Sequence, residues 1–371
     1  MTRDEIAKQL FDLYYFNRGH ILGNITMGMG KTRAALQIAS TDTSIHKLVL
    51  THTVGSRDKT WPKEMAEINN YPAGLQIEYF GNVDNLHDNY GLIIVDECHL
   101  ITENLFKFLV RHINSSRILF LTGTLPDDKE KQKWLYFFKP KMLHYTFEQA
   151  LEDGNINNIE FHVIYVDLDE TAVCYKVPMR KGIFTEKEAY FQQCVNVQNS
   201  EGKSKEMHIN NRMWFIYKSD TKVKAAIYIR NHLISENKRH ILFTTTKDIA
   251  DRISKNVHYS GCKNSKLDEF QSYQINDLVS INQMKVGSNI EGLRYIISQQ
   301  LNSKMEAFMQ MSSRATRLSE NKENSIVYII VARDTVDVTW MRKATKGIPA
   351  ELVKEYHLSK EKLNTVQWHI E

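Results

Sequence analysis

Short apolar runs alternate along the chain with stretches whose apolar residues recur at helical spacing, a rhythm that predicts βαβ units with parallel strands. In the first half the runs are GHILGNIT, HKLVLTHT, LQIEYF, YGLIIVDE and SRILFLTGT, with helices read in KTRAALQIAS and, as an amphipathic stripe, in ENLFKFLVRHIN. This block ends near Pro140. A second block has a similar rhythm without a close sequence repeat. KAAIYIRNHLISEN reads as a helix feeding the strand RHILFTTT, and DLVSINQMK, RYIISQQ and NSIVYIIVA follow as strand-like runs. The expected organisation is therefore an α/β domain over residues 1–146, a connecting strand with a helical insertion over 147–217, a second α/β domain over 218–345, and a polar extension over 346–371 to which the pattern assigns no role.

Composition narrows the function classes. A chain of 371 residues suits two domains, and 42% hydrophobic with 25% charged residues is ordinary for a globular protein. The segment MTRDEIAKQLFDLYYF carries charges where a signal peptide needs an apolar core, and no run approaches the ~18 apolar residues of a membrane span. A cytoplasmic protein with no membrane partner is expected. Four cysteines without a CxxC pair suggest neither a zinc site nor a disulfide framework. A formal charge of +4 permits a nucleic-acid partner without arguing for one.

Two stretches carry chemistry. In GNITMGMGKTRAALQ the backbone amides of Gly28, Met29 and Gly30 are placed to curl around phosphate oxygens, because glycine has no Cβ to block close approach. Lys31 would neutralise the β- and γ-phosphates, and the Thr32 hydroxyl would ligate Mg²⁺. Ile25 stands where the commonest form of this loop has glycine. In GLIIVDECHL, Asp96 and Glu97 follow a buried strand directly, so they emerge at the carboxyl edge of a parallel sheet. Asp96 there can hold Mg²⁺, and Glu97 can orient or activate an attacking water.

MGMGKT, DECH and LTGTLP, in this order, resemble motifs I, II and III of the superfamily 2 helicases and translocases, whose A-x-x-G-x-G-K-T pattern accommodates Ile25. Cys98 makes the second motif a DExH variant. QMSSRATR resembles motif VI, with Ser313 where glycine is usual. The resemblance implies that Arg314 and Arg317 are arginine fingers and that Gln310 contacts the γ-phosphate or the water. INQMKVGSNIEGL resembles motif V, which implies a tight turn at Gly287 and a ribose contact from Asn289; Ile281 replaces a nucleic-acid-contacting Thr of DEAD-box relatives, so that contact is not carried over. HILFTTTKDIA resembles motif IV, where Thr244, Thr245 and Thr246 are read either as phosphate contacts or as helix caps. LTHTVGSRDKTWPKEM fits motif Ia, so His52, Thr53, Arg57 and Lys59 are candidates for a groove along a phosphate backbone, with Trp61 packing against its domain. Thr122 and Thr124 would couple the two domains, and His99 would reach towards Gln310. Gln9 lies loosely where an adenine-recognising Q motif would, but its neighbours do not match.

The resemblance spans residues 18–335 with gaps in the middle. It implies two RecA-like parallel-sheet domains in tandem with an ATP cleft between them, ATP and Mg²⁺ as cofactors, and nucleic acid as partner, DNA before RNA, held mainly by its phosphates. Replication or repair proteins are possible further partners. FEQALEDGNINNIEFHVIYVDL has the character of the passage between domains in phage-type repair helicases and restriction translocases, so a bacteriophage chain acting in the host cytoplasm is expected. Two alternatives stay open: a double-stranded DNA translocase that does not separate strands, and an NTPase that does not act on nucleic acid.

Overall fold

The computed structural model describes residues 1–26, 28–87, 89–156, 158–177, 182–259, 262, 265–281, 290, 293–301, 324–346 and 348–366. They form two compact units, Met1–Ile156 and Asn157–Glu371.

The first unit is built on six parallel strands: β1 (Ile21–Ile25), β2 (Lys47–Thr51), β3 (Leu75–Tyr79), β4 (Leu92–Val95), β5 (Arg117–Thr122) and β6 (Lys141–Tyr145), in the spatial order β3-β2-β4-β5-β1-β6. The inner strands are buried nearly throughout and mostly apolar, because both faces are covered. Alternate residues serve opposite faces: Ile21, Val49, Leu92, Ile94, Leu119 and Leu121 join one core cluster, while Leu22, Leu48, Leu50, Ile93, Val95, Ile118 and Phe120 join the other. Helices α1 (Arg3–Phe16) and α2 (Lys31–Thr41) contribute Leu10, Tyr14, Leu36 and Ile38 to the first cluster. Arg117 lies 3.6 Å over the Tyr14 ring and donates to the Tyr14 and Asn17 carbonyls, which fastens the end of α1 to β5.

β6 extends the first block past Pro140. It pairs with β1 in parallel register, Ile21 opposite Lys141 to Ile25 opposite Tyr145. Its sequence KMLHY gives no apolar run because an edge strand keeps most of its side chains in water.

The second unit carries seven parallel strands: β7 (Ile159–Val166), β8 (His240–Thr244), β9 (Val257–His258), β10 (Asp277–Ile281), β11 (Tyr295–Ser298), β12 (Ser325–Ala332) and β13 (Val353–His357), ordered β13-β7-β12-β11-β8-β10-β9. The stretch after β7 holds the helices Glu186–Gln198 and Gly202–Tyr217, the first opened by a capping box between Thr185 and Glu188. The helix Asp220–Ser235 lies in the core, and its Lys222 forms a wholly buried ion pair at 2.5 Å with Asp337 at the start of the helix Val336–Ala344. Residues beyond 346, which the pattern left without a role, supply β13, registered from Phe161 opposite Val353 to Tyr165 opposite His357, and then bury Leu358 and Leu363 in the core.

Candidate nucleotide-binding and hydrolysis site

Four neighbouring strands of the first sheet, in the order β2-β4-β5-β1, all end at the same edge because all are parallel. Their following loops therefore stand side by side. They carry His52 after β2, Asp96 and Glu97 after β4, Thr122–Thr124 around the end of β5, and residues 26 and 28–30 after β1. The carboxyl edge of an open parallel sheet is where ligands bind in folds of this class.

The loop after β1 has the backbone that a phosphate cradle needs. Gly28 and Gly30 adopt φ of 81° and 76°, which L side chains rarely take, and a Cβ built on either would meet no atom within 4 Å. Gly30 is the N-cap of α2, and no side chain caps that helix's first turn, so its amides remain to receive an anion. Met29 is buried among the core residues beneath. Lys31 donates to the carbonyls of Ile25 at 2.9 Å and Thr26 at 3.3 Å. Burial lowers its pKa, and Glu97 and then Asp96 partly restore it. Phosphate oxygens would favour its charged form in the same way. Thr32 is half-buried on the next position of the helix.

Asp96 is held by two donors. Its Oδ1 accepts from the Glu97 amide at 3.0 Å, and its Oδ2 accepts from the indole of Trp61 at 3.0 Å. Burial raises its pKa against the pull of Trp61 and Lys31. Glu97 has φ of 52°, and burial, reinforced by Asp96, pushes its pKa up to about 7. Its Oε2 is buried without a hydrogen-bond partner among the described residues, 3.4 Å from His99 Nδ1. A non-glycine residue in the left-handed region bearing a buried, unpaired carboxylate is a costly arrangement, of the kind that collects at functional sites. A carboxyl that exchanges its proton near neutrality suits a general base.

His99 is buried, with Nδ1 2.9 Å from Thr122 Oγ1. The Thr122 hydroxyl donates to the Thr124 carbonyl, so it accepts from His99, which fixes a neutral imidazole with its proton on Nδ1. Burial lowers the His99 pKa to about 3 from its ordinary 6.5. This has a consequence for stability. The unfolded chain takes up the proton first, so the contribution is complete above pH 6.5 and is lost as pH falls from there towards 3. About 1 kcal/mol should disappear over the first full unit below the unfolded pKa. Urea unfolding at neutral and mildly acidic pH measures it, and His99→Asn, which keeps a donor towards Thr122 but does not titrate, should flatten the slope by close to one proton. An unchanged slope would contradict the buried neutral state. His240 is shifted in the same direction by burial and adds to the wild-type slope.

Neither protein-family models nor curated protein sequences match the chain. Solved structures do. The helicase domain of Hef from Pyrococcus furiosus superposes with a TM-score of 0.54 at 13% identity, covering 93% of this chain and 97% of that one. Dbp5 of S. cerevisiae, bound to RNA and ADP BeF3, gives 0.56 at 12%, covering 95% and 89%. LlaBIII, an ATP-dependent Type ISP restriction-modification enzyme bound to DNA, gives 0.63 at 12%, covering 98% of this chain and 32% of that one. The fold is that of two RecA-like α/β domains in tandem.

Within the first RecA-like domain the structure brings together Gly28, Met29, Gly30, Lys31, Thr32, Asp96, Glu97, His99, Thr122 and Thr124 on adjoining loops. Thr124 keeps a buried hydroxyl without a partner among the described residues. Gln9 lies exposed on α1, where its amide meets Met1.

The candidates for a nucleic-acid groove fare unevenly. His52 is half-buried, and the Thr53 hydroxyl accepts from the Ser56 amide at 3.0 Å as a local cap. Arg57 forks onto Asp58 at 2.6 and 3.2 Å, reaches Glu78 at 3.4 Å and lies over the Tyr79 ring, so acidic neighbours hold its guanidinium. Lys59 is exposed. In the second domain Thr244 is wholly buried, and its hydroxyl donates to Gln299 at 2.9 Å, which places it in the interior rather than on a groove. Thr246 caps the helix Lys247–Ile253. Thr245 is half-buried, with a hydroxyl lacking a partner among the described residues. Gly287, Asn289, Gln310, Arg314 and Arg317 lie outside the described residues.

Sequence reasoning put Trp61 in the packing of its domain, and it is indeed fully buried. It missed that the indole holds Asp96. The signal available was a tryptophan close after β2, the strand beside β4; the register of the two strands, Leu50 opposite Val95, is what brings them together.

Proposed function

We propose that this chain is an ATP-dependent nucleic-acid helicase, hydrolysing ATP to drive movement along, or unwinding of, a nucleic acid. The observation that carries the reading is the convergence of Lys31, Asp96 and Glu97, with the His99–Thr122 pair behind them, at the carboxyl edge of the first sheet.

In this reading the 28–32 loop binds the β- and γ-phosphates through its amides and Lys31, with charge-assisted hydrogen bonds strengthened by burial. The residues also fit a magnesium ion, which takes one or two carboxylates and completes its shell with water and phosphate oxygens. Asp96, with Thr32, would hold it, and the ion would supply neutralising charge on the phosphate oxygens. Glu97 orients the attacking water and accepts its proton as the new P–O bond forms and the bond to the ADP oxygen breaks. Arg314 and Arg317, with Gln310, are the proposed groups that stabilise charge on the transferring phosphoryl, and Gly287 and Asn289 the proposed ribose contacts. Loss of the γ-phosphate then removes the contacts that held it and permits a step along the polymer. His52, Thr53 and Thr245 remain proposed polymer contacts. Lys59 joins them as the exposed cation of its loop. Backbone gripping implies little sequence preference and affinity that falls with salt.

The experiment is ATP turnover measured alone and with single-stranded DNA, duplex DNA or RNA. We expect stimulation of tenfold or more by one polymer, lost when salt is raised, with DNA favoured. Indifference to every polymer would leave an NTPase acting on something else. A duplex-unwinding assay separates the helicase from a double-stranded DNA translocase, which shares the same site.

A further inference from the structure

The segment between β2 and the helix Trp61–Glu67 is linked to Asp96 by a hydrogen bond at its end and by charge alone at its start. At its start, half-buried His52 feels the Asp96 charge, which opposes the lowering of its pKa by burial. At its end, Trp61 is fully buried among core residues and gives its single polar hydrogen to Asp96 Oδ2 at 3.0 Å. A buried indole needs one partner, and this one takes a carboxylate oxygen of the residue read as the cation holder.

The arc between these ends is stiff and faces solvent. The Thr53 carbonyl accepts from the Ser56 and Arg57 amides, and the Thr53 hydroxyl accepts from Ser56 again. Arg57 is locked between Asp58 and Glu78. Ser56–Thr60 forms a π-helical turn that runs without a break into the helix beginning at Trp61. π turns are rare and concentrate at functional sites. Thr53, Val54, Gly55, Lys59 and Thr60 are exposed along the outside of the arc. A ligand pressing on this outer surface would therefore move the indole as part of one rigid piece, with little slack to absorb the displacement.

We infer that Trp61 is a positioning residue that couples nucleic-acid binding on the 53–60 arc to the cation-holding geometry of Asp96. The inference rests on the proposed ATPase reading and adds to it the element by which the polymer is sensed. When the arc is engaged, the indole sets the direction of the Asp96 carboxylate, so the free oxygen lone pairs point where the cation sits. Coupling of this kind is reciprocal, so the cation with its nucleotide must also tighten the polymer.

The test uses the full chain and two readouts that do not depend on turnover. The first is the indole ¹H–¹⁵N spectrum, with the Trp61 signal identified by its loss in Trp61→Phe, a change that keeps an aromatic ring and removes the donor. If that variant fails to fold, substitutions at Trp134, Trp214, Trp340 and Trp368 identify the signal by elimination. We expect the Trp61 signal to move on adding Mg²⁺ with ADP, and to move separately on adding oligodeoxythymidine or a short DNA duplex. The second is the Mg²⁺ concentration for half-maximal binding of a fluorescent ADP. It should rise about tenfold in Trp61→Phe, as when the partner of a metal-holding group is removed. In the wild type DNA should lower that concentration, and in Trp61→Phe it should no longer do so. A Trp61 signal unmoved by either ligand, or a variant whose Mg²⁺ midpoint still responds to DNA, would overturn the inference while leaving the ATPase reading intact. A wild-type chain that binds no nucleotide would overturn the ATPase reading itself, and the inference with it. A purely structural tryptophan would lower the melting temperature of Trp61→Phe without touching the Mg²⁺ midpoint, which also counts against the coupling.

Discussion

Lys31→Ala should abolish polymer-stimulated ATP turnover, a loss of about 10³-fold or more, because it removes the fixed ammonium that the loop presents to the β- and γ-phosphates. The loss should come with little change in stability. Lys31 opens α2, and among the described residues its hydrogen bonds go to the Ile25 and Thr26 carbonyls, while the apolar residues that anchor the helix, Leu36 and Ile38, are untouched. Alanine is also the best helix former, and removing a cation whose pKa burial has already lowered relieves a desolvation cost. Turnover and thermal unfolding of the same preparation decide the matter. Retention of a tenth of wild-type turnover by a folded variant would show that the phosphates bind elsewhere.

Glu97 supports a prediction in which activity and stability part company. Glu97→Gln removes the base but keeps the shape, so turnover should fall by about 10³-fold, within the range for a lost general base. Glu97→Gly should lose turnover to the same degree and yet unfold at equal or higher denaturant concentration, by up to about 1 kcal/mol. The left-handed backbone at φ 52° costs a non-glycine residue on the order of 1–2 kcal/mol, part of which glycine's greater unfolded entropy takes back. Glycine also removes the buried, unpaired Oε2. Urea unfolding of the two variants beside the wild type is the measurement. A Glu97→Gly chain that is clearly destabilised, or that still turns over ATP, would mean the strain at this position serves packing and not chemistry.

The inner strands were legible because a strand covered on both faces is read as a continuous apolar run, as LIIV and ILFL are in β4 and β5. The edge strands were less so. β6 and β13 leave most of their side chains in water, and KMLHY and VKEYH then look like any polar segment. The loops after β1 and β4 were legible through residue type and spacing, since phosphate chemistry demands Gly-Lys-Thr at a helix start and acids at a strand end. Contacts made by strand register were not. Nothing in the sequence near Arg57 announces Glu78, which arrives because β3 lies beside β2. Nothing near Thr244 announces Gln299, which β11 carries alongside β8. The same blindness hid the bond between Trp61 and Asp96.

The placement of β7 has a consequence for synthesis on the ribosome. Both of its neighbours, β12 and β13, come late, and the Tyr165 hydroxyl meets a Glu355 partner 190 residues further on. The first domain draws all six of its strands from residues before Ile156 and is complete while the rest is still being made. β7 emerges next, apolar on alternate residues, and neither of its edges is paired until β12 has been made. During that interval it is an open template for any other strand. Nascent chains stalled between β7 and β12 should accordingly carry a finished, protease-resistant first domain and a strand that chaperones recognise.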